Sequence, residues 1–201
     1  MEAIETLIPD VKLIRMRRHE DERGFFSETY SARSLAAAGI TCPFVQDNHS
    51  FSAAAGTVRG LHFQIPPHAQ AKLVRVVRGA VLDVAVDLRI GSPTFGHHVA
   101  AMLSAEEWNM LFIPEGFAHG FCTLTPGTEV VYKASRFYEP THDRGIAWDD
   151  ATLGIDWPID PARAVVSAKD RRLPGFASIM PWFAMAQTDA QAPAREVSHA
   201  R

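Results

Sequence analysis

Residues 56–72, GTVRGLHFQIPPHAQAK, gather more directed polar groups than a connecting loop needs. They hold His62, the cations Arg59 and Lys72, a third basic group whenever His68 is charged, and the amides Gln64 and Gln70. Pro66-Pro67 stiffens the turn among them, and Gly56 and Gly60 let the backbone come close to something or take a positive φ. Imidazole takes and returns protons near neutral pH, so His62 is the first candidate base. A lone histidine is more often a structural group bonded to a backbone carbonyl, so its partners decide between the two readings.

His119, in IPEGFAHGF at 113–121, reads as a second wall of the same cavity. Tyr132 follows Val130-Val131 in strand register, and a phenol with an ordinary pKa near 10 is protonated at pH 7, as a general acid requires. A core tyrosine with one hydrogen bond is the equal alternative. Asp83 and Asp87 share one face of an alternating segment: buried, either can orient a histidine, whereas on an ordinary sheet face both are solvated. Asp170, in SAKD at 167–170, is another candidate partner. Arg23, Arg59 and Lys72, with the amides of Gln46 and Asn48, suit a diphosphate and a nucleobase, but on exposed loops they are merely solvated. A metal centre built on a strand needs ligands two residues apart on one face. His62 has no histidine two residues away, and the adjacent His97 and His98 point to opposite faces, so no metal is expected. His68, His97 and His98 are read as surface residues.

The elements that must position these groups are mostly strands. Val11, Leu13, Ile14 and Met16 mark an edge strand near the N-terminus, a polar turn follows at 21–24, and 25–30 is a short β-prone run. Ser31 caps a two-turn helix over 32–38 that stops at Gly39. Strands are expected over 73–77, 81–89, 97–102, 110–113, 118–124 and 128–137, separated by Gly/Pro turns. In the clearest, Leu82, Val84, Val86 and Leu88 alternate with Asp83, Ala85, Asp87 and Arg89. Many short strands and almost no helix predict an all-β, double-sheet jelly roll with a few short peripheral helices. Residues 159–185 are less regular and read as a helix or packed loops. Residues 1–185 are expected to form one domain, and 186–201 a polar tail without periodicity.

Composition sets the outer bounds. The 201 residues, 47% hydrophobic and 21% charged, are those of an ordinary globular domain. A formal net charge of -3 disfavours a general nucleic-acid or membrane surface. Cys42 and Cys122 are expected as free thiols in a reducing compartment, and the N-terminus lacks the apolar stretch of a secretory signal, so the expected location is cytoplasmic.

Read in order, QDNHS (46–50), GTVRGLHFQ (56–64), VDLRIGSPTFG (86–96), IPEGFAHGF (113–121), VYK (131–133) and SAKD (167–170) resemble the dTDP-4-dehydrorhamnose 3,5-epimerase family. The resemblance runs over residues 21–170. It implies a homodimeric, cupin-like jelly roll that works without metal or other cofactor. It also implies a reaction, inversion of C3 and C5 of dTDP-4-dehydro-6-deoxy-D-glucose on the route to dTDP-L-rhamnose. By the same resemblance His62 is the base, oriented by Asp170, Tyr132 is the acid on the opposite face of the sugar, and Lys72 is the cation near the enolate and phosphates. Gln46, Asn48, Arg59, His119, Tyr138, Asp143 and Lys169 are implied as ligand-binding positions, and Arg23, Phe26 and Glu28 as a segment that reaches the nucleotide of the neighbouring subunit. A mono-epimerase acting at one carbon shares nearly all these motifs. A metal-dependent cupin and a non-catalytic nucleotide-sugar binder are the alternatives from other classes.

Overall fold

The computed structural model describes residues 1–184, and the tail expected over 186–201 lies outside them. Strands follow the alternating segments. The first half contains β1 (Glu2–Glu5), β2 (Lys12–Arg15), β3 (His19–Asp21), β4 (Gly24–Phe26), helix α1 (Ala32–Ala37), β5 (Gln46–Ser52), β6 (Thr57–Gln64), β7 (Lys72–Arg78) and β8 (Ala80–Asp87). The second half adds β9 (Arg89–Ile90), β10 (His98–Ser104), β11 (Asn109–Ile113), β12 (Phe117–Thr123), β13 (Thr128–Ala134), β14 (Asp143–Gly145), β15 (Val165–Val166) and β16 (Phe183–Ala184).

Among the described residues one sheet runs β1-β2-β11-β7-β13-β5, and the other β10-β8-β12-β6-β14 with β15 alongside β6. The main ladders are antiparallel, and the two sheets stack as an all-β, cupin-like jelly roll. Helix α1 lies where expected, with the Ser31 hydroxyl accepting from the Ser34 N–H and Gly39 at φ +81 ending it. The run expected over 25–30 is shorter than read, since pairing ends at Phe26. Residues 159–184 hold 3-10 turns, two short strands and packed loops.

Three apolar clusters hold the layers together. One lies between the sheets and includes Val74, Val76, Leu111, Phe117 and Phe121. A second covers the outer face of the first sheet beneath α1, around Ile14, Leu35, Leu73 and Phe112. The third covers the outer face of the second sheet, where Val84, Val86 and Leu88 pack against Trp148, Leu153 and Trp157. The alternation in β8 therefore points opposite to a simple amphipathic strand. Its aliphatic face looks outward into the C-terminal segment, while Asp83, Ala85 and Asp87 look into the barrel and are fully buried. The solvated reading of Asp83 and Asp87 is wrong because residues 146–183 bury the face that would otherwise meet water.

Asp87 explains why the VDLRIGSPTFG stretch is so dense in polar groups. Its carboxylate accepts from the Arg89 N–H (2.9 Å), Nε (2.9 Å) and Nη2 (2.8 Å), from Ser92 Oγ (2.6 Å) and from Thr94 Oγ1 (2.7 Å). Burial pushes this carboxyl up, but the five donors outweigh burial and hold it below the ordinary 3.8. The stability that it contributes is therefore present above that value and fades as pH falls through the folded one. Arg89, tied also to Asp10 and stacked over Phe117, then pairs β9 with β16. Asp87→Ala strands Arg89 and two hydroxyls, and is expected to lower the unfolding free energy by about 3–5 kcal/mol. Urea denaturation measures this, and a loss under about 1 kcal/mol contradicts the anchor role.

Candidate active site

The site begins where β6 and β12 approach each other at two glycines. Gly60 has φ +117, and a Cβ there would lie 2.6 Å from Gly120 Cα; a Cβ on Gly120 would lie 2.7 Å from the Arg59 carbonyl oxygen. The ladder pairs His119 with His62 but Phe121 with Arg59, so β6 carries one extra residue. Strict alternation would send Arg59 and His62 to opposite faces. The bulge brings both to the barrel interior, while Leu61 and Phe63 join the outer cluster.

His62 Nε2 lies 2.8 Å from Asp170 Oδ1, and Asp170 Oδ2 accepts the Gly60 N–H at 3.2 Å. With Asp170 taking Nε2–H, the lone pair sits on Nδ1, which has no partner among the described residues. Burial pushes the Asp170 carboxyl up, yet hydrogen bonds from His62 and Gly60 and contact with Ser167 hold it below its ordinary value. Across the ladder His119 is buried, with Nε2 3.0 Å from both oxygens of Asp83. Burial pushes this imidazole down against the pull of Asp83, and the charges of Lys72 and His62 push it further.

The first sheet supplies the facing wall. Ala134 pairs with both Lys72 and Gln46, and Tyr132 with both Val74 and Asn48. Residues aligned across antiparallel strands project to one side, so Lys72, Tyr132, Gln46 and Asn48 share the interior face. Lys72 Nζ reaches the His62 carbonyl oxygen at 3.4 Å. Burial brings its pKa down to about 8, although the Asp143 and Asp83 charges oppose the fall. Burial, aided by Asp143 and opposed by Arg59, raises the Tyr132 phenol and keeps it protonated.

A cavity of about 520 Å³ lies between these walls, lined by Arg59, His62, Lys72, His119, Tyr132, Lys169 and Asp170, with Ser50, Phe121 and Ser167. At its rim Asp143 Oδ2 accepts from Lys169 Nζ and, at 3.3 Å, from the Tyr138 hydroxyl. Gln46 Nε2 donates to Asn48 Oδ1 at 2.9 Å. Arg59 is steadied by Ser52 Oγ and the Phe51 carbonyl.

Of the residues singled out in the sequence, Arg59, His62, Lys72, His119, Tyr132, Lys169 and Asp170 line the cavity, while Tyr138, Asp143, Gln46 and Asn48 are not in its lining and are joined to Lys169 and to one another by hydrogen bonds. Arg23, Phe26 and Glu28 belong to the β3–β4 hairpin and its continuation, and they do not line this cavity. Arg23 pairs with Asp21, and Phe26 is 73% exposed. His68 is not a free surface residue: it is half-buried, its ring centroid 4.4 Å from that of His142. Ser50 and Ser167 were missed although both lie inside quoted motifs, because a small hydroxyl carries no spacing signal of its own. Among the described residues no three histidine, cysteine or acidic side chains gather as a metal site would require.

A sequence model described as dTDP-4-dehydrorhamnose 3,5-epimerase matches residues 5–178. The Pseudomonas aeruginosa protein of that name is 51% identical over 178 residues, covering 88% of this chain and 97% of the relative. Among solved structures, the Bacillus anthracis enzyme with TDP and pyrophosphate bound superposes with a TM-score of 0.84 at 50% identity, covering 87% of this chain and 98% of that one. The Legionella pneumophila enzyme in complex with dTDP-4-keto-L-rhamnose gives a TM-score of 0.87 at 41% identity, covering 93% and 99%.

Lys72 carries a direct prediction. Its amine should titrate near pH 8, read from the 15Nζ or 13Cε chemical shift, and Asp143→Asn should lower that midpoint further by removing a charge that favours the ammonium. An ordinary midpoint near 10.5 contradicts the assignment. Because the unfolded chain holds this proton more tightly, the Lys72 contribution makes folding more favourable as pH rises from about 8 to 10.5.

Proposed function

The chain belongs to the dTDP-4-dehydrorhamnose 3,5-epimerase family, and on that premise we propose that it inverts C3 and C5 of dTDP-4-dehydro-6-deoxy-D-glucose to give dTDP-4-dehydro-L-rhamnose. It is an isomerase. The observation that carries the reading is the His62–Asp170 pair facing Lys72 and Tyr132 across one cavity.

Hydrogens on C3 and C5 are acidic because the C4 ketone can take the electron pair as an enolate, so a base and an oxyanion stabiliser suffice. His62 Nδ1 takes the proton from C3. The C–H electron pair moves into the C4 carbonyl, and the Lys72 ammonium, with His119 beside it, stabilises the resulting oxygen charge. Tyr132, on the facing sheet, returns a proton to the opposite face of the carbon. His62 then holds the proton taken from C3 and Tyr132 is left as a phenolate, and proton exchange of each with solvent resets both. The cycle repeats at C5 once the sugar has turned. Asp170 holds the tautomer of His62 and remains ionised, as its depressed pKa favours. Arg59, Gln46, Asn48, Tyr138, Asp143 and Lys169 are assigned to the sugar and the nucleotide diphosphate, for which guanidinium and ammonium groups at the rim are suited.

The proposed assembly is a homodimer in which Arg23, Phe26 and Glu28 complete the partner's nucleotide site. Exposure of 73% at Phe26 and 53% at Phe25 supports it, since apolar surface of this kind is usually covered. Trp108 supports it too: its ring meets Phe25 edge-on at 4.7 Å and the Arg18 guanidinium at 5.3 Å, which steadies the hairpin carrying these residues. Residues 1–185 are taken as one domain, and the proposed compartment is the cytoplasm, where nucleotide sugars are made. No helix among the described residues is long and apolar enough to cross a membrane.

In D2O the protein is expected to exchange hydrogen at both C3 and C5 of dTDP-4-dehydro-6-deoxyglucose, followed by proton NMR. His62→Ala should abolish exchange, by about 10²–10⁴-fold if it is the general base. Tyr132→Phe should leave exchange but yield little inverted product. Exchange at one carbon alone would make the protein a mono-epimerase, and none at either would sink the reading. kcat/KM should also fall on the alkaline side near pH 8 as Lys72 of the free enzyme loses its proton, a limb that Lys72→Arg should move upward because a guanidinium stays charged.

A further inference from the structure

Three groups touch the Asp170 side chain, and the reaction assigned above leaves one of them without a role. Oδ1 takes the His62 Nε2–H at 2.8 Å and Oδ2 the Gly60 N–H at 3.2 Å, both from β6. The third is Ser167, from the turn that carries Asp170 itself. Its Oγ accepts the Asp170 N–H at 3.0 Å and its carbonyl oxygen accepts the Arg171 N–H at 3.0 Å, so residue 167 closes the 3-10 turn Asp170–Arg172 at its start. Accepting that N–H leaves the hydroxyl with its own hydrogen to donate. Contact with Ser167 is among the causes that hold the Asp170 carboxyl below its ordinary value.

Burial makes this third contact matter. Asp170 is 5% exposed, and each donor to a buried carboxylate lowers the cost of its charge. The donors also compete. Charge drawn toward Ser167 and Gly60 is not presented to the His62 ring, so a carboxylate with fewer donors holds the imidazole proton more tightly. The charged and titratable groups that share the cavity with His62 are Asp170 and Lys169 from this turn, Lys72 and Tyr132 from the first sheet, and Arg59 and His119 from the second, with Asp143 at the rim. Among the described residues Ser167 is hydrogen-bonded to none of these but Asp170. A change at Ser167 therefore reaches His62 through Asp170. Ser167 is itself exposed and lines the cavity, whereas Asp170 is buried, so its hydroxyl can be removed without opening the core.

Building on the epimerase reading above, we propose that Ser167 is a positioning residue: it holds Asp170 against His62 and, by sharing the charge of the carboxylate, sets how tightly His62 keeps the proton that it takes.

The test compares wild type with Ser167→Ala, which removes the hydroxyl, and with Ser167→Thr, which keeps it. kcat/KM for dTDP-4-dehydro-6-deoxyglucose is measured against pH, and its acid limb belongs to the coupled His62–Asp170 pair. With one donor gone the carboxylate pulls harder on the imidazolium, so the limb should move to higher pH in Ser167→Ala. A move of about half a unit is expected, or about a threefold loss of kcat/KM below the limb. Ser167→Thr should keep the wild-type limb. A residue that only packs the turn would instead lower kcat/KM by one factor at every pH. An unmoved limb in Ser167→Ala, a limb moved to lower pH, or an equal upward move in Ser167→Thr overturns the inference. The 13Cε1 signal of His62, identified by its loss in His62→Ala, follows the same pair in the free protein without turnover. A midpoint that rises in Ser167→Ala and not in Ser167→Thr supports the inference, and coincident titrations of all three proteins overturn it. A wild type that turns over no substrate removes the assigned reaction, and the imidazole titration still judges Ser167.

Discussion

Two glycines with no side chains, Gly60 and Gly120, impose the constraint on which the site depends. Their strands approach until a Cβ on either would overlap the backbone of the other. This contact accommodates the extra residue in β6, which sets His62 opposite His119 and turns Arg59 to the same side. Without the bulge, alternation would send Arg59 or His62 outward among Val58 and Phe63, where a charge would be stranded in an apolar cluster. The same irregularity frees the Gly60 N–H from the ladder to donate to Asp170. A steric fact thus becomes an electrostatic one, since that donor helps keep the Asp170 carboxylate ionised where burial alone would favour its acid form.

The charges of the cavity are balanced unequally, and the imbalance suits an anionic ligand. Asp83 is bound to His119, Asp170 to His62 and Asp143 to Lys169. Among the described residues Lys72 has no carboxylate in hydrogen-bond contact, and its Nζ donates to a carbonyl oxygen. Its pKa of about 8 reflects desolvation that the more distant Asp143 and Asp83 do not fully offset. A negative charge placed in the cavity, whether a phosphate or a forming enolate, favours the ammonium and draws that pKa upward. The lysine is therefore held near its titration point when the site is empty and is locked in its charged form when there is charge to stabilise.

Much of this was legible in the sequence, and the parts that were not share a cause. Short alternating segments with Gly/Pro turns pointed to the jelly roll, Ser31 and Gly39 bounded helix α1, and six ordered motifs pointed to the family. Alternation alone could not say which face of β8 was inner. Aliphatic residues ordinarily mark the core side of a two-layer protein, but here residues 146–183 add a third layer that buries Val84 and Val86 from outside and leaves Asp83 and Asp87 within. Nor could it show the bulge, because period-two reasoning assumes that no residue is inserted. The glutamines Gln64 and Gln70 stood out by type, yet their partners are main-chain atoms about seventy positions away, which no local pattern encodes.

The added layer also explains how a carboxylate from the far end of the chain finds His62. β15 lies parallel to β6, with Val165 opposite Thr57 and Val166 opposite Val58. From that register both chains advance in the same direction. Four residues beyond Val166 is Asp170, and four beyond Val58 is His62. Two residue pairs of one strand pairing therefore act as a ruler, and the 3-10 turn at Asp170–Arg172 folds the carboxylate inward at the point where the imidazole arrives. The register is maintained by the apolar packing of the same segment, since Ala164 and Val166 join Trp148 and Trp157 against the second sheet. Docking of the C-terminal layer and assembly of the base are then one event. A substitution that loosens Trp157 from its place should misplace Asp170 relative to His62 without touching either residue, because the ruler holds only while β15 stays paired.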